Sequence, residues 1–302
     1  MPILTRKCSA ALAATTVLLA STSVTLACEK AAEDASRIAV AGGSLTEILY
    51  FLNEEQRIVA VDRTSNFPEQ AKQFPSVGYV RNLSAEGVLS LSPTLVMGED
   101  DMGPPAVLSQ LEATGIPTVM IPEEHTAEGI VSKIRCVAVV LGVGEAADSA
   151  IDTELTDTLK RLKSIADRTQ SGARKPRGAV LLGLRDGVPL GAGSDTSGDG
   201  LLAMAGAENV LSGFSGWKPM SLEAMIAADP EFIVVPTRGV NDAGGHSALL
   251  DQPGIKLTTA AREGRLIDID GMTMLGFGPR TLTAAVELAA QLESELGPTD
   301  AE

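Results

Sequence analysis

The feature that most constrains the fold is an alternation of short apolar runs with helical patterns, which occurs twice and is divided by one long amphipathic segment. The short runs are rich in branched residues and are bounded by Gly, Pro or Asp, a pattern typical of buried strands. Strands that alternate with helices predict parallel sheets with helices on their faces. The sequence therefore predicts an α/β chain of two lobes, each with a mainly parallel central sheet flanked by helices.

The long segment, Glu145–Thr169, contains 25 residues whose apolar side chains recur at steps of three and four. That period places them on one face of a helix, which at about 1.5 Å per residue would be roughly 37 Å long. We therefore expect an N-terminal lobe over residues 37–143, a spine helix over 144–170 and a C-terminal lobe over 177–299. A single long helix between two lobes would form a stiff spine.

The first 27 residues have the pattern of a secretory signal peptide. Arg6 and Lys7 are followed by an apolar run and then by small residues, with no further charge before Glu29. Cleavage after Ala27 would place the mature chain in the periplasm with Cys28 at its N-terminus. Lipid attachment at Cys28 is one alternative, and a membrane anchor is another, since about 20 uncharged residues suffice to span a bilayer.

The charge of the chain excludes one class of partner. It has 24 Lys and Arg against 39 Asp and Glu, a formal charge of −15, and removal of the signal peptide brings it to −17. Nucleic-acid binding requires a basic surface, so we expect no nucleic-acid partner.

Cysteine and histidine are scarce. Cys136 lies inside the apolar run Ile130–Leu141, which predicts a buried free thiol, and the sequence gives no reason to expect a disulfide framework. Only His125 and His246 are present, which argues against a metal site built from several histidines.

A local repeat occurs once in each predicted lobe. In both copies a Ser precedes a Glu by two residues and a Pro follows that Glu by seven, with Ser84 and Glu86 in the first copy and Ser221 and Glu223 in the second. The pattern predicts a serine N-cap, a short helix with an acid in its first turn, and a strand introduced by proline. Glu86 and Glu223 would then be equivalent marks on the surfaces of the two lobes.

Two strings, together with this repeat and the spine, carry a family resemblance. The run Val77–Gly87 reads VGYVRNLSAEG, and Leu275–Thr281 reads LGFGPRT. The chain resembles the rigid-helix class of substrate-binding proteins of bacterial ABC importers, which carry vitamin B12, iron-siderophores and haem. The two strings are similar to the haem-carrier branch in particular.

The resemblance implies a ligand cleft between the two lobes, with ferric haem, haem b, as the transported ligand and Tyr79 as the axial ligand of its iron. A phenolate is a hard anionic oxygen donor that suits ferric iron, and tyrosinate is a known haem ligand. Arg81 lies two residues further on, and in an extended segment that spacing places both side chains on one side. We expect Arg81 to stabilise the phenolate or to pair with a haem propionate.

Other candidates for the haem site are weaker. Arg238 directly follows a predicted strand, where α/β sheets bind ligands, so it is a candidate partner for a propionate or for Tyr79. Some haem carriers add a histidine from the second lobe, but the corresponding segment here has none, so the resemblance implies five-coordinate haem with His246 as the alternative second ligand. His125 is expected at the surface, and Tyr50 in the core.

The resemblance also implies partners. Glu86 and Glu223 match the lobe-tip glutamates that engage arginines of a permease dimer, which works with its ATPase subunits, and an outer-membrane haem receptor system is a candidate source of haem. We expect a monomer without catalytic residues, because no nucleophile elbow, P-loop or zinc-protease motif is present. A binding protein for an iron-siderophore or cobalamin, and a haem-modifying enzyme, are the alternatives.

Overall fold

The computed structural model describes residues 28–297, so the predicted signal peptide lies outside the described residues. The first lobe, by which we mean everything before the spine, begins with strand β1 and ends with helix α4. Its elements are β1 (Ile38–Ala41), α1 (Gly43–Phe51), β2 (Ile58–Val61), β3 (Gly78–Tyr79), β4 (Asn82–Leu83), α2 (Ala85–Ser90), β5 (Leu95–Glu99), α3 (Pro105–Ala113), β6 (Thr118–Ile121) and α4 (Ala127–Leu141). Two short 3₁₀ turns, Glu55–Arg57 and Glu69–Gln73, flank β2.

The four main strands of the first lobe form one parallel sheet in the order β2-β1-β5-β6. Ile38 of β1 pairs with Ile58 on one side and Leu95 on the other. All of β1 is buried, which explains why its sequence is apolar throughout rather than alternating. Because all four strands run in the same direction, their carboxyl ends lie at one edge of the sheet.

A continuous helical segment connects the lobes, as the amphipathic pattern predicts. It consists of α5 (Gly144–Ala150), a π-helical turn (Ile151–Leu155) and α6 (Thr156–Gln170). Ile151, Leu155, Leu162 and Ile165 are its buried apolar side chains in the π turn and α6. The lobe boundaries given above stay a prediction.

The second lobe, by which we mean everything after the spine, contains a larger and mixed sheet. Its elements are β7 (Arg177–Arg185), β8 (Val188–Ala192), α7 (Ser197–Met204), β9 (Glu208–Asn209), β10 (Trp217–Pro219), α8 (Leu222–Ala228), β11 (Phe232–Pro236), α9 (Thr237–Asp242), α10 (His246–Leu250), α11 (Thr259–Arg262), β12 (Leu266–Ile269), α12 (Gly271–Leu275) and α13 (Pro279–Leu296). The strand order is β10-β8-β7-β11-β12, with β9 also paired to β7. β11 is parallel to β7 and β12, whereas β8 is antiparallel to β7 and β10. The two-lobe α/β prediction is confirmed.

The last helix joins the lobes a second time. α13 packs against α6, α7 and α12, and also against α1 and α4 of the first lobe. Its buried face, which includes Leu282 and Val286, belongs to a hydrophobic core that contains Ile38 and Val234 from the two sheets. Neither α13 nor any other helix between residues 28 and 297 combines the length and apolar character needed to cross a membrane.

The prediction of a free Cys136 thiol is wrong. Cys136 is buried in α4 as expected, but it forms a disulfide with Cys28, with a Cα–Cα distance of 4.7 Å. The two cysteines are 108 residues apart, so sequence spacing gives no sign that they meet. A lipid anchor would use the same Cys28 sulfur, so the disulfide and lipid attachment at Cys28 exclude each other.

Candidate ligand cleft

A cleft with a volume of about 550 Å³ separates the lobes. Its first-lobe side lies at the carboxyl ends of the strands, the edge where open α/β sheets bind ligands. Both lobes contribute to its lining, which comprises Thr64, Tyr79, Val80, Arg81, Glu99, Asp100, Asp101, Glu123, His125, Leu182, Asp195, Thr196, Ser197, Gly216, Trp217, Met272, Leu275 and Gly276. Its size lies within the usual range of small-molecule sites, about 300–1,000 Å³.

Tyr79 and Arg81 meet in this cleft, on a short hairpin formed by β3 and β4. Tyr79 pairs with Asn82, so Arg81 lies in the two-residue turn rather than in an extended segment. The Arg81 guanidinium folds back towards the phenol, and its Nη1 donates a hydrogen bond of 2.8 Å to Tyr79 Oη. The Tyr79 side chain is 37% exposed, which leaves its ring open to the cleft.

A buried carboxylate holds the hairpin in place. Asp62, which follows β2 and is 2% exposed, accepts a hydrogen bond of 3.1 Å from the backbone N–H of Val80. The same side chain accepts another from Gly42, which follows β1. Asp62 therefore ties the turn that carries Arg81 to the edge of the parallel sheet.

Asp101 orients Arg81. It forms an ion pair with Arg81 Nη2, while Nη1 faces Tyr79. Burial lowers the pKa of Arg81, but the Asp101 carboxylate and the Tyr79 phenol outweigh it and raise the pKa above its usual value. Asp101 follows β5, and no sequence pattern linked it to the Tyr79 string.

The floor of the cleft is a polar cluster around Lys133 of α4, whose side chain is 1% exposed. Its ammonium donates hydrogen bonds to Glu123, with which it forms an ion pair, and to Ser44 at 3.2 Å. Ser44 in turn donates to Glu99 Oε1 at 2.6 Å. One buried cation thus serves two carboxylates, Glu99 and Glu123, which both line the cleft.

The two carboxylates of this cluster have opposite pKa shifts. Burial raises the pKa of Glu99 to about 7, although Lys133 partly offsets it. For Glu123, burial favours the neutral form, but the hydrogen bond from His125 and the charge of Lys133 outweigh it and lower the pKa. The cleft floor therefore changes its charge near neutral pH, through Glu99.

His125 does not lie at the surface as predicted. It lines the cleft, where Nε2 is 3.1 Å from Glu123 Oε1 and the ring packs edge-on against Phe277 at 4.8 Å. Its polar sequence neighbours suggested a surface turn. His125 lines the cleft because it follows the carboxyl end of β6, and that edge of the sheet faces the second lobe. Trp217 also lines the cleft, although no motif in the sequence marks it as a site residue.

Two of the sequence candidates lie elsewhere. Arg238, in the first turn of α9, has a side chain that is 90% exposed and pairs with Asp242, and it is not among the residues that line the cleft. His246 lies 2.9 Å from Asp268 and is likewise not part of the cleft lining. The strand end that carries Arg238 continues directly into α9, which turns the side chain towards solvent rather than towards Tyr79.

The local structure predicted for the repeat is confirmed. Ser84 accepts a hydrogen bond from Gly87 N at the start of α2, and Ser221 accepts one from Ala224 N at the start of α8. Glu86 and Glu223 lie in the first turns of these helices and are exposed. Among residues 28–297 neither carboxylate forms an ion pair.

The architecture agrees with comparisons of the sequence with known proteins. The profile of the family described as periplasmic binding protein matches residues 38–273, from β1 into α12. The chain belongs to this family. By sequence it resembles the vitamin B12-binding protein of Pectobacterium atrosepticum, at 25% identity over 260 residues that cover 85% of this chain and 88% of the relative.

Solved structures of periplasmic haem-binding proteins share the fold over most of this chain. The haem-binding protein BhuT, in complex with two haems, is 36% identical and has a TM-score of 0.80, with 86% of this chain and 98% of that chain covered. A periplasmic haem-binding protein from Pseudomonas aeruginosa is also 36% identical, with a TM-score of 0.77 over 87% and 94% of the two chains. The chain is thus a periplasmic substrate-binding protein of the kind that serves ABC transporters.

Proposed function

We propose that this protein binds ferric haem in the periplasm, in the cleft between its lobes, and delivers it as a monomer to an inner-membrane ABC importer. Haem is the cargo, and Tyr79 would bind its iron as the axial ligand. Structural relatives that are 36% identical are haem-binding proteins, whereas a more distant sequence relative binds vitamin B12. The chemistry of the cleft favours haem over cobalamin.

The observation that carries the proposal is the Tyr79–Arg81–Asp101 arrangement. Tyrosine binds ferric iron as a phenolate, and a guanidinium that donates a hydrogen bond to the phenol oxygen would stabilise the negative charge of the iron-bound oxygen. The 2.8 Å contact from Arg81 supplies that hydrogen bond, and Asp101 keeps the guanidinium in place. The cobalt of cobalamin is already enclosed by its own ring and ligands, so binding of cobalamin would not require a tyrosine paired with a guanidinium.

The apolar part of the lining suits a flat, mostly apolar ligand, and Arg81 suits an anionic edge of that ligand. Val80, Leu182, Trp217, Met272 and Leu275 contribute apolar surface. Among the lining residues that the structure describes, Arg81 is the one Arg or Lys, so it would serve both the phenolate and a propionate. The side chains of Glu99, Asp100, Asp101, Glu123 and Asp195 make the rest of the cleft acidic, which would keep propionates near Arg81 or at the solvent edge.

Separate titrations with haemin, cobalamin and a ferric siderophore test this proposal. Haemin titrated into the mature protein should bind with one tight phase and a shifted Soret band, whereas cobalamin and a ferric siderophore should leave intrinsic Trp217 fluorescence unchanged. Conversion of haemin to an open-chain tetrapyrrole would instead indicate a haem-modifying enzyme. Tight cobalamin binding with no haemin binding would contradict the proposal.

We also propose that Glu86 and Glu223 dock the loaded protein onto the permease dimer. They are exposed, they lie on different lobes, and no described residue neutralises them, so each is available to an arginine of the partner. The surplus negative charge of the chain would attract a basic permease surface. Haem would reach the cleft from an outer-membrane receptor system.

Charge reversal in a reconstituted transporter tests the docking sites. Glu86→Lys together with Glu223→Lys should abolish haem-stimulated ATP hydrolysis while haemin binding to the isolated protein stays unchanged. The matched control is Glu112→Lys with Glu263→Lys, which reverses the same number of charges at exposed positions of the same two lobes. Equal loss in both pairs would show a net-charge effect and remove the assigned role.

A further inference from the structure

The string LGFGPRT, whose role the family resemblance leaves open, lies in the second lobe and contacts the first lobe. It begins at the end of α12, which lines the cleft with Leu275 and Gly276, and it ends in the first turn of α13. Two charged side chains of the first lobe, Lys133 and Glu47, reach across to this segment from α4 and α1. We name Lys133, Glu47 and residues 275–280 together the interlobe clamp.

Lys133 holds the cleft side of the segment. Besides Glu123 and Ser44, its ammonium donates a hydrogen bond of 3.2 Å to the backbone carbonyl of Gly276. Donor and acceptor are 143 residues apart in sequence and belong to different lobes. An almost fully buried ammonium group requires hydrogen-bond partners, and the Gly276 carbonyl is one of three, so the position of Gly276 is tied to the floor of the first lobe.

Glu47 holds the other side of the segment. Its two carboxylate oxygens accept hydrogen bonds from the backbone N–H and from Nε of Arg280, both at 2.8 Å. The Arg280 guanidinium also stacks on the ring of Phe67, another first-lobe residue, at 3.6 Å. A Cβ at Gly278 would lie 3.1 Å from the Glu47 carboxylate, which explains the glycine at this close approach.

The residue between these two contacts is itself constrained. Phe277 is fully buried and has a φ of 49°, in the left-handed region that non-glycine residues seldom adopt. Its ring packs against His125 of the first lobe. A backbone conformation of this kind persists only where the surroundings fix it, and here the fixing side chains come from the opposite lobe.

We propose that the interlobe clamp sets the separation of the lobes, and thereby the haem affinity, without its charged side chains binding haem. The proposal rests on the proposed function for its effect on affinity. The spine and the shared core around α13 already join the lobes, and the clamp adds a third, charged attachment next to the cleft floor. Without the clamp, the apo protein would spend less time at the separation that fits the ligand, which lowers the apparent affinity in proportion.

Paired variants test the clamp by removing each charged side chain together with the residue that forms an ion pair with it. Lys133→Met with Glu123→Gln removes the contact to Gly276 and its buried countercharge together, and Glu47→Gln with Arg280→Met does the same at the other attachment. The control, Arg168→Met with Glu293→Gln, removes an exposed ion pair of 2.8 Å between α6 and α13 that touches neither the cleft nor the first-lobe sheet. Circular dichroism melting confirms that each pair folds, and the second clamp pair decides the test where the first does not fold.

The primary readout is the distance between spin labels on the two lobes, attached at Glu112→Cys and Ser247→Cys, which are exposed positions on α3 and α10. We expect a narrow apo distribution in the parent and control proteins and a clearly broader one in both clamp pairs. Haemin affinity should fall about tenfold in Glu47→Gln with Arg280→Met, two residues that do not line the cleft, as expected if the competent fraction falls to about a tenth. The Tyr79 charge-transfer band should be retained in the bound state.

The possible failures are distinguishable. Clamp pairs that fold and keep the parent distance distribution would overturn the proposal, even where affinity falls. A broader distribution with unchanged haemin affinity would overturn the link to binding. Absence of haemin binding by the parent protein would overturn the proposed function, while the label distances would still decide whether the clamp fixes the lobes.

Discussion

At the scale of single residues, the cleft combines a phenol that accepts a hydrogen bond from a guanidinium with a floor whose charge depends on pH. Arg81, which Asp101 holds in place, donates a hydrogen bond to the Tyr79 hydroxyl. In the cleft floor, Lys133 contacts Glu123 directly and Glu99 through Ser44. The Tyr79 and Arg81 pair was predictable because the two residues are close in sequence. Glu99, Asp101 and Lys133 were not, because their meeting depends on which strand ends share an edge of the sheet.

The raised pKa of Glu99 predicts a dependence of stability on pH. Its pKa of about 7 in the fold exceeds the ordinary 4.5, so between these values the folded state binds more protons than the unfolded chain. Stability therefore falls as pH rises through the window from 4.5 to 7, and the loss persists above it, by up to roughly 3 kcal/mol.

Glu99→Gln removes this titration. We expect the variant to be more stable than the parent at pH 8 and about equal to it at pH 4.5, as measured by urea unfolding across that range. Glu112→Gln, at an exposed position of α3, serves as the control and should track the parent at every pH. A difference between Glu99→Gln and the parent that does not vary with pH would contradict the assigned shift.

At the scale of elements, the serine caps of α2 and α8 are the local features that position Glu86 and Glu223. Each serine satisfies a backbone N–H in the first turn, with distances of 3.1 Å for Ser84 and 3.2 Å for Ser221. Both helices are short, so each depends strongly on its cap.

Loss of a cap should cost stability without changing the surface charge. Ser84→Ala and Ser221→Ala are each expected to lower the free energy of unfolding by about 1 kcal/mol. Ser247→Ala, at an exposed position inside α10, is the control and should be nearly neutral. Denaturant unfolding measures the difference, and a neutral result for both capping serines would contradict their assigned role.

The elements also show where sequence patterns succeed and fail. The predicted fold class holds because strongly apolar strands and an amphipathic spine leave few alternatives. The β7–β8 hairpin, by contrast, was missed although Asp186 and Gly187 form a typical two-residue turn, with φ values of 53° and 78°. The prediction of strictly alternating strands and helices left no place for this hairpin, and therefore none for the antiparallel part of the second sheet.

At the scale of the whole molecule, three features hold the two lobes as one body: the spine, the shared core around α13 and the interlobe clamp. The disulfide adds a further constraint. It joins Cys28, where the described chain begins, to α4, the helix that also carries Lys133. Neither the disulfide nor the clamp was predictable, since each joins residues more than 100 positions apart.

Removal of the disulfide should destabilise the protein without abolishing the fold. Cys28→Ser with Cys136→Ser opens a link of 108 residues, and loss of a link of that length typically costs about 2–5 kcal/mol. Urea unfolding of the oxidised parent, the reduced parent and the double variant measures the effect. Equal stability of all three would show that the bond does not constrain the chain, and a lipid found on Cys28 of the mature protein by mass spectrometry would show that it does not form.

The measurement that tests the central claim most directly is the visible and resonance Raman spectrum of the haemin complex. The chain contains two tyrosines, Tyr50 and Tyr79, so Tyr50→Phe is a matched control for Tyr79→Phe. The account predicts a phenolate-to-iron charge-transfer band and phenolate vibrations in the parent and in Tyr50→Phe, and their loss in Tyr79→Phe. An unchanged spectrum in Tyr79→Phe would contradict ligation by Tyr79.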